Sequence, residues 1–392
     1  MHLSSEQLVQ QIHDSPLRIV LVTAGGGSRA IADLVEVPGC SRTLLEAVVP
    51  YAAASMIAWL GGPPDDFCSS ATARAMAMTA FCRAKKYETA DGVAEGRELN
   101  SPSAIAGVAC AASLASDRPK RGPHRLHVAL QTVAETAVWS LQLQKGRRTR
   151  TEEEHLAGRL LLNVVAEAAG VADRLPLELL EGEQVKESRI EAPTAWQDLL
   201  LGKIESVRVD PSFSAAGNLP KLLLPGAFNP LHSGHRRMIE VAREMLQQPA
   251  VFEISILNVD KPALDYMEIE RRLAQFAADQ TVYLSRAATF EEKSRLFAGA
   301  TFLVGIDTLR RIVSPQYYGG SESARGWAIE QIISRGCRFL VFGRDLGAGF
   351  VRLGDIELPD ALRAQCREAP PEVFREDISS SEIRRESNTQ PC

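Results

Sequence analysis

Residues 222–246 read LLLPGAFNPLHSGHRRMIEVAREML, and the change of rhythm inside this stretch sets the architecture. Leu222 to Leu224 form an apolar run of the kind that ends a buried strand. Beyond the break, Met238, Ile239, Val241, Ala242 and Leu246 fall at helical spacing. His232 and His235 therefore stand where a strand turns into a helix. Backbone amides at such a start point outward and favour anions, and two imidazoles beside them suit phosphate chemistry. Taken alone, the pattern also describes a capped helix start with two surface histidines. A zinc site fits less well, because the helical histidine pair is usually H-E-x-x-H and no third ligand is evident.

A chain of 392 residues exceeds one ordinary core, so two domains are expected. Hydrophobic residues at 45% and charged residues at 24% are typical of soluble globular proteins. A formal charge of -5 argues against a general nucleic-acid binder while leaving room for a local basic site. Cys40, Cys68, Cys82, Cys110, Cys337, Cys366 and Cys392 are scattered without a C-x-x-C pair. That pattern points to free thiols in a reducing compartment, not to a disulfide frame or a zinc site. The opening MHLSSEQLVQQIHDSP has no signal-peptide core, and the most apolar window, 44–60, is broken by Glu46 and Pro50 and too short to span a bilayer. A cytoplasmic location is the expectation.

Strand-like and helix-like pieces alternate through both halves. In the first, LRIVLVTA (17–24) reads as a buried strand, GGGS as a turn and RAIADLVEV as a helix. ARAMAMTAFCRAK (73–85) predicts a second helix, SAIAGVACAASL (103–114) a strand and loop, and HRLHVALQT (124–132) a strand. TEEEHLAGRLLLNVVAEAAG (151–170) predicts an amphipathic helix. Residues 176–219 lose the rhythm and read as a connector between domains at 1–175 and 220–392. The second half restarts with strands at 221–226, 252–259, 281–285, 301–306 and 338–343, most of them separated by helical segments. Such alternation implies a parallel sheet, whose ligands bind beyond the strands' C-terminal ends.

GAFNPLHSGH resembles the G-[ST]-F-[ND]-P-x-H-x-G-H signature of the adenylyltransferase and cytidylyltransferase superfamily, which includes nicotinamide-mononucleotide and pantetheine-phosphate adenylyltransferases. Near the C-terminus, ISSSEIRR (378–385) resembles the second signature, I-S-S-T-x-[IL]-R, with Ser381 at the threonine position. The resemblance implies a Rossmann-like parallel-sheet fold and an enzyme that moves a nucleotidyl group from a nucleoside triphosphate. His232 and His235 are then the catalytic pair. Gly226, Ala227, Phe228, Asn229 and Gly234 bind the nucleotide, with Ser379, Ser380, Ser381 and Arg384 at its phosphates. The chemistry is coherent: charge builds on the α-phosphate during attack, so catalysis is positioning and charge stabilisation. Imidazole donors, serine hydroxyls and a permanent guanidinium supply both. ISSSEIRR alone also fits an ordinary N-cap.

FLVGIDTLRR resembles the superfamily's G-x-D motif and puts Gly305 and Asp307 near nucleotide or acceptor. ILNVDKPAL resembles the segment that surrounds the acceptor, where Lys261 meets an acceptor phosphate or stands in solvent as an ordinary loop lysine. Arg344, in VFGRD, is a further candidate phosphate contact. Mg²⁺ would bridge the phosphates, since neither half offers a carboxylate cage, and no protein metal site is expected.

In the first half, TAGGGSRAIADLVEVPGCSRTLLEAVVPYAAASM is similar to the C-terminal domain of CinA-type proteins, the nicotinamide-nucleotide amidohydrolases. Their pattern is roughly A-E-S-C-T-G-G, a helix, P-G-S-S and V-x-Y-S-N-x-x-K. Anchored on VPGCS (37–41), the resemblance runs over about residues 8–170 and implies an α/β sandwich. The nucleophilic serine position falls on Ala24 and its activating lysine on Met56, leaving Tyr51 of the trio. Alanine cannot attack an amide and methionine cannot serve as base or cation, so a catalytically dead amidase is implied. Gly25, Gly26 and Gly27, with Ser28 and Arg29 nearby, keep a shape that could cradle a phosphate. DRPKRGPHR (117–125) reads as an anion site or a solvated basic loop.

Both resemblances meet on pyridine nucleotides. The expected reaction makes NAD from nicotinamide mononucleotide and ATP with release of pyrophosphate. Two alternatives stay open: a non-catalytic pyridine-nucleotide-binding sensor or scaffold, and a transferase with another acceptor, such as pantetheine phosphate or a CTP-dependent alcohol phosphate. Expected partners are a nucleoside triphosphate and a small phosphorylated metabolite, with no nucleic acid and no membrane. A homo-oligomer is left open.

Overall fold

A computed structural model describes residues 3–95, 104–118, 120–209, 219–259, 261–345, 349–376, 378, 380 and 383–384. The chain divides into two compact units: Met1–Gln197 with Asp260–Glu268, and Asp198–Val259 with Ile269–Cys392.

The first unit opens on helix α1 (Ser5–His13), started by a reciprocal cap in which Ser4 Oγ accepts from the Gln7 amide and the Gln7 side chain accepts from the Ser4 amide. There follow β1 (Arg18–Ala24), α2 (Arg29–Glu36), β2 (Leu44–Val48), α3 (Ala53–Leu60), α4 (Ser70–Glu95), β3 (Ile105–Ser113), β4 (His124–Gln131), β5 (Glu135–Leu143), α5 (Arg150–Ala168) and β6 (Lys186–Glu191). The strands order as β2-β1-β3-β4-β5-β6; β1 runs parallel to β2 and β3, and the other pairs are antiparallel. Apolar faces of α1, α2 and α5, including Leu8, Leu34 and Leu161, share one core with Ile19, Leu21 and Val108 of the sheet. Against β3 packs α4, so closely that a Cβ on Gly107 would lie 2.1 Å from the Ala77 carbonyl oxygen. This is the expected α/β sandwich, with a mixed sheet.

The expected connector over 176–219 is not one segment. Strand β6 completes the first sheet, α6 (Thr194–Leu201) follows, and β7 (Ser206–Val209) joins the second sheet. An edge strand needs no buried face, and the mostly charged KESRIE shows no apolar period to read. Residues 210–218 of that stretch lie outside the described set. Nor does the first unit end with its own half of the sequence. Tyr266, 1% exposed, donates its hydroxyl to the Val133 carbonyl at 2.6 Å and its amide to Thr136 Oγ1 at 3.1 Å. Its ring stacks on Trp196, and Asp265 pairs with Arg74 at 3.4 Å.

In the second half the order is β8 (Leu222–Pro225), α7 (Ser233–Leu246), β9 (Val251–Ser255), α8 (Tyr266–Leu273), β10 (Val282–Ser285), α9 (Phe290–Leu296), β11 (Thr301–Gly305), α10 (Ile306–Val313), α11 (Glu322–Ser334) and β12 (Arg338–Phe342). A short hairpin, β13 (Arg344–Asp345) and β14 (Phe350–Val351), precedes α12 (Asp360–Arg363) and β15 (Cys366–Glu368). The sheet runs β15-β12-β11-β8-β9-β10-β7, parallel except for β7. Phe302, Val304, Phe339 and Val341 build one core with Leu309, Ile312, Ile329 and Ile332. From β8 the chain steps outward to β9 and β10, then returns to the other side of β8 with β11. An open parallel sheet leaves a crevice at such a reversal, beyond its C-terminal edge.

Candidate active site

The loop that carries the histidines leaves β8 at this reversal. The Gly226 amide donates to the Glu253 carbonyl at 2.9 Å, and a Cβ on Gly226 would stand 2.6 Å from the Phe228 ring. Ala227 is exposed. Phe228 is buried at φ 45°, a left-handed conformation that is costly for a bulky side chain. Edge-on contacts with Phe252, Phe276 and His235, at 5.4, 5.5 and 5.0 Å between centroids, pin it there. Asn229 and Pro230 are joined by a cis peptide bond.

His232 is the N-cap residue of α7, and its ring stacks on His235 with centroids 3.7 Å apart. The His232 amide donates to His235 Nδ1 at 3.3 Å. Burial, followed by the neighbouring His232, lowers the His235 pKa to about 3. Burial, followed by the Arg344 charge, also lowers that of His232. A neutral imidazole that accepts at Nδ1 carries its proton on Nε2, so His235 offers an Nε2–H donor at neutral pH. Gly234 is buried, and a Cβ there would come within 3.2 Å of both the His232 ring and Ile378.

The second signature comes to the same loop. Ser380 Oγ donates to the Pro230 carbonyl at 2.9 Å, and Arg384 donates to the Asn229 carbonyl. Expected at the phosphates, both residues also brace the loop before the histidines. Ser379 and Ser381 lie outside the described residues. From β11 come Gly305, the N-cap of α10, and Asp307 in its first turn. No atom crowds the place of a Cβ on Gly305, so no close approach explains that glycine. Asp307 pairs with Arg344 at 3.5 Å, and Arg344 is the cation that acts on His232. Lys261 is exposed on the Asp260–Glu268 segment, which belongs to the first unit.

Three residues without a motif join the site. Gln275 Nε2 donates to the Phe228 carbonyl at 2.9 Å, and its Oε1 accepts from the Leu231 amide at 2.8 Å. Arg236, next to His235, donates to the Gln275 carbonyl at 2.9 Å and to Gln280 Oε1 at 2.8 Å. Arg271 donates to Asn229 Oδ1 at 2.6 Å. These contacts join sequence-distant residues, and no local pattern in RRLAQFAADQ announces them.

The glycine turn of the first unit is built differently. Gly25 has φ 77°, and a Cβ there would lie 1.9 Å from the Ala112 carbonyl oxygen. Glu154 Oε1 accepts from Ser28 Oγ at 2.8 Å and from the Arg29 amide at 3.2 Å, while Arg150 donates to the Gly25 carbonyl at 2.9 Å. A carboxylate from α5 thus already sits at the start of α2, which corrects the expected phosphate cradle. Ala24 ends β1, Met56 is buried, and Tyr51 is 70% exposed. In the basic stretch, Arg125 pairs with Asp66 at 2.6 Å, and buried His124 meets Glu153 at 2.7 Å. These two residues serve internal contacts. Among the described residues, no helix is long and apolar enough to cross a membrane, and no three His, Cys, Asp or Glu gather as a metal site.

Residues 223–386 match the family model described as cytidylyltransferase-like, so the second half carries a cytidylyltransferase-like domain on a parallel sheet. The N-terminal half is similar to three solved structures of low identity. The competence/damage inducible protein CihA from Agrobacterium tumefaciens is 20% identical, covering 43% of this chain and 98% of that one, with a TM-score of 0.33. A competence-damaged protein (CinA) superfamily protein from Escherichia coli is 13% identical, covering 42% and 90%, with a TM-score of 0.32. A competence or damage-inducible protein from Enterobacter asburiae is 12% identical, covering 43% and 96%, with a TM-score of 0.30. No curated protein matches the chain.

Proposed function

We propose that the second unit transfers a nucleotidyl group from a nucleoside triphosphate to a phosphorylated acceptor, and that the pair is ATP and nicotinamide mononucleotide. The observation that carries the transferase reading is the meeting of both signatures on one loop at the sheet reversal, through Ser380, Arg384 and the His232–His235 pair. In the reaction an acceptor phosphate oxygen attacks the α-phosphorus. The bond to the bridging β-oxygen breaks, and its electron pair leaves with pyrophosphate. Charge grows on the α-phosphate oxygens, where the neutral His235 Nε2–H stabilises it as a preorganised donor. Arg384 supplies a permanent cation for the departing β- and γ-phosphates, and Arg344, beside His232, supplies a second. Mg²⁺ bound with the triphosphate would add charge neutralisation to that of Arg384 and Arg344.

The choice of acceptor rests on sequence resemblance: GAFNPLHSGH and ILNVDKPAL in the second half, and the VPGCS region in the first. The first unit hydrolyses no amide in this reading, since Ala24 lacks a nucleophile, Met56 lacks a base, and Glu154 holds the anion position. Pyrophosphate release by the full chain, screened over four nucleoside triphosphates and a panel of phosphorylated acceptors, is the test. The fastest release is expected with ATP and nicotinamide mononucleotide. Release with pantetheine phosphate alone would change the acceptor; nucleotide binding without release for any pair would replace the transferase with a sensor.

A further inference from the structure

The His232–His235 geometry hangs on a segment that has few internal supports. Between Phe228 and Leu231 the chain passes through Phe228 at positive φ and through Pro230, which has no N–H to donate. Gln275 spans this gap from outside. Its amide N–H donates to the Phe228 carbonyl at 2.9 Å, and its amide oxygen accepts the Leu231 N–H at 2.8 Å. One primary amide thus supplies the donor and the acceptor that a neighbouring strand would have supplied. The Gln275 main chain works on the far side of the histidines as well, because its carbonyl accepts from Arg236 of α7 at 2.9 Å. Residue 275 therefore grips the chain just before His232 and just after His235. A third contact, from Gln275 Nε2 to the Arg272 carbonyl at 3.2 Å, fixes the rotamer that makes this possible.

We infer that Gln275 is a positioning residue of the transfer reaction, setting where the His232 amide meets His235 Nδ1 and hence which His235 nitrogen carries the proton; this rests on the transferase reading above. It touches no reacting atom. Its loss should act on turnover more than on nucleotide binding, because misplacement of a transition-state donor by about 1 Å can cost on the order of 10²-fold, whereas the phosphate cations stay in place.

Two variants of the full chain test this. Gln275→Met keeps the shape and removes both loop bonds. Gln275→Glu keeps an acceptor for Leu231, loses the donor to Phe228 while ionised, and regains it when protonated. The Phe228 and Arg272 carbonyls that Gln275 Nε2 now meets would face the introduced carboxyl and favour its protonated, donating form, while His235 stays neutral until about pH 3. Expected for Gln275→Met are a roughly 10- to 100-fold fall in kcat with little change in the KM for the triphosphate, and ¹⁵N imidazole signals showing His235 no longer held in the Nε2–H form. For Gln275→Glu, turnover relative to wild type should climb as pH drops from 8 toward 5. Unchanged imidazole signals together with kcat and KM losses that merely follow thermal stability would overturn the inference. If the unaltered protein releases no pyrophosphate, the transferase reading falls, and the imidazole signals still decide whether Gln275 sets the histidine geometry.

Discussion

Two strand-to-helix turns, β1–α2 and β8–α7, offer an anion opposite surroundings. Both place helix amides beyond the C-terminal end of a strand, and by composition TAGGGSR is the better phosphate loop. Yet Glu154 answers the Ser28 hydroxyl and the Arg29 amide, so the first turn carries its own negative charge. The second turn presents two neutral imidazoles, with Arg344 beside His232 and Arg384 bonded to the loop that precedes them. Glycine content prepares a backbone for phosphate, but in the first turn a carboxylate arriving from α5 already takes the donors.

The strongest way to break this contrast is His235→Ala, expected to lower turnover by roughly 10²- to 10³-fold, the loss typical of one transition-state donor. Ser28→Ala in the other turn should leave pyrophosphate release unchanged. Equal effects from the two substitutions would erase the distinction. Next come the glycines. At Gly226 a methyl meets the Phe228 ring, and melting of Gly226→Ala should show a loss of about 1–3 kcal/mol from overpacking. Gly25→Ala meets a backbone oxygen at 1.9 Å from a positive φ and should lose more.

Glu154→Ala sharpens the contrast from the other side. Loss of the carboxylate from a helix start should cost about 1 kcal/mol, as loss of a cap does, and calorimetry should detect a phosphate-binding event additional to any in the unaltered protein. Titration at equal stability with no gain in anion binding would mean that Glu154 guards nothing. The smallest effect is an absence. His235 has its pKa lowered by burial to about 3, so between pH 5 and 8 no inflection in turnover should come from it. Stability behaves with the matching sign: an unfolded chain takes up a proton near the ordinary histidine pKa of about 6.5 that the folded chain refuses. The His235 contribution is therefore intact above about pH 6.5 and declines as pH falls toward 3, which melting at stepped pH reads.

How legible was the molecule in its sequence? Buried parallel strands announce themselves as unbroken apolar runs, and β1, β8, β11 and β12 all lie within a residue or so of the stretches that predict them. Strand β9 stops at Ser255, short of the expected 259: the Ile256 amide still bonds the Ser285 carbonyl, but the chain bends there. Edge strands β6 and β7, half exposed, carry no such run and vanish into the expected connector. At the site, motif spacing finds His232, His235, Ser380 and Arg384. It misses Gln275 and Arg271, because a side chain that braces a loop from across the fold obeys no local period. Glu154 escapes for the same reason: in TEEEH it reads as one more solvated helix charge.

Tyr266 imposes an order on the making of the protein. Its hydroxyl and amide bind Val133 and Thr136, while Asp265 pairs with Arg74, all of them residues translated much earlier. Some 70 residues separate Gln197 from Tyr266 in the chain, so at about 5–20 residues per second a ribosome needs roughly 3–14 s to deliver them. Throughout that interval the first sheet is complete in strands but lacks its tyrosine, with the Arg74 guanidinium still awaiting its carboxylate. The nascent first unit is therefore an unfinished protein until the opening βαβ of the second has been synthesised, and a stop placed between the halves would release it in that unfinished state.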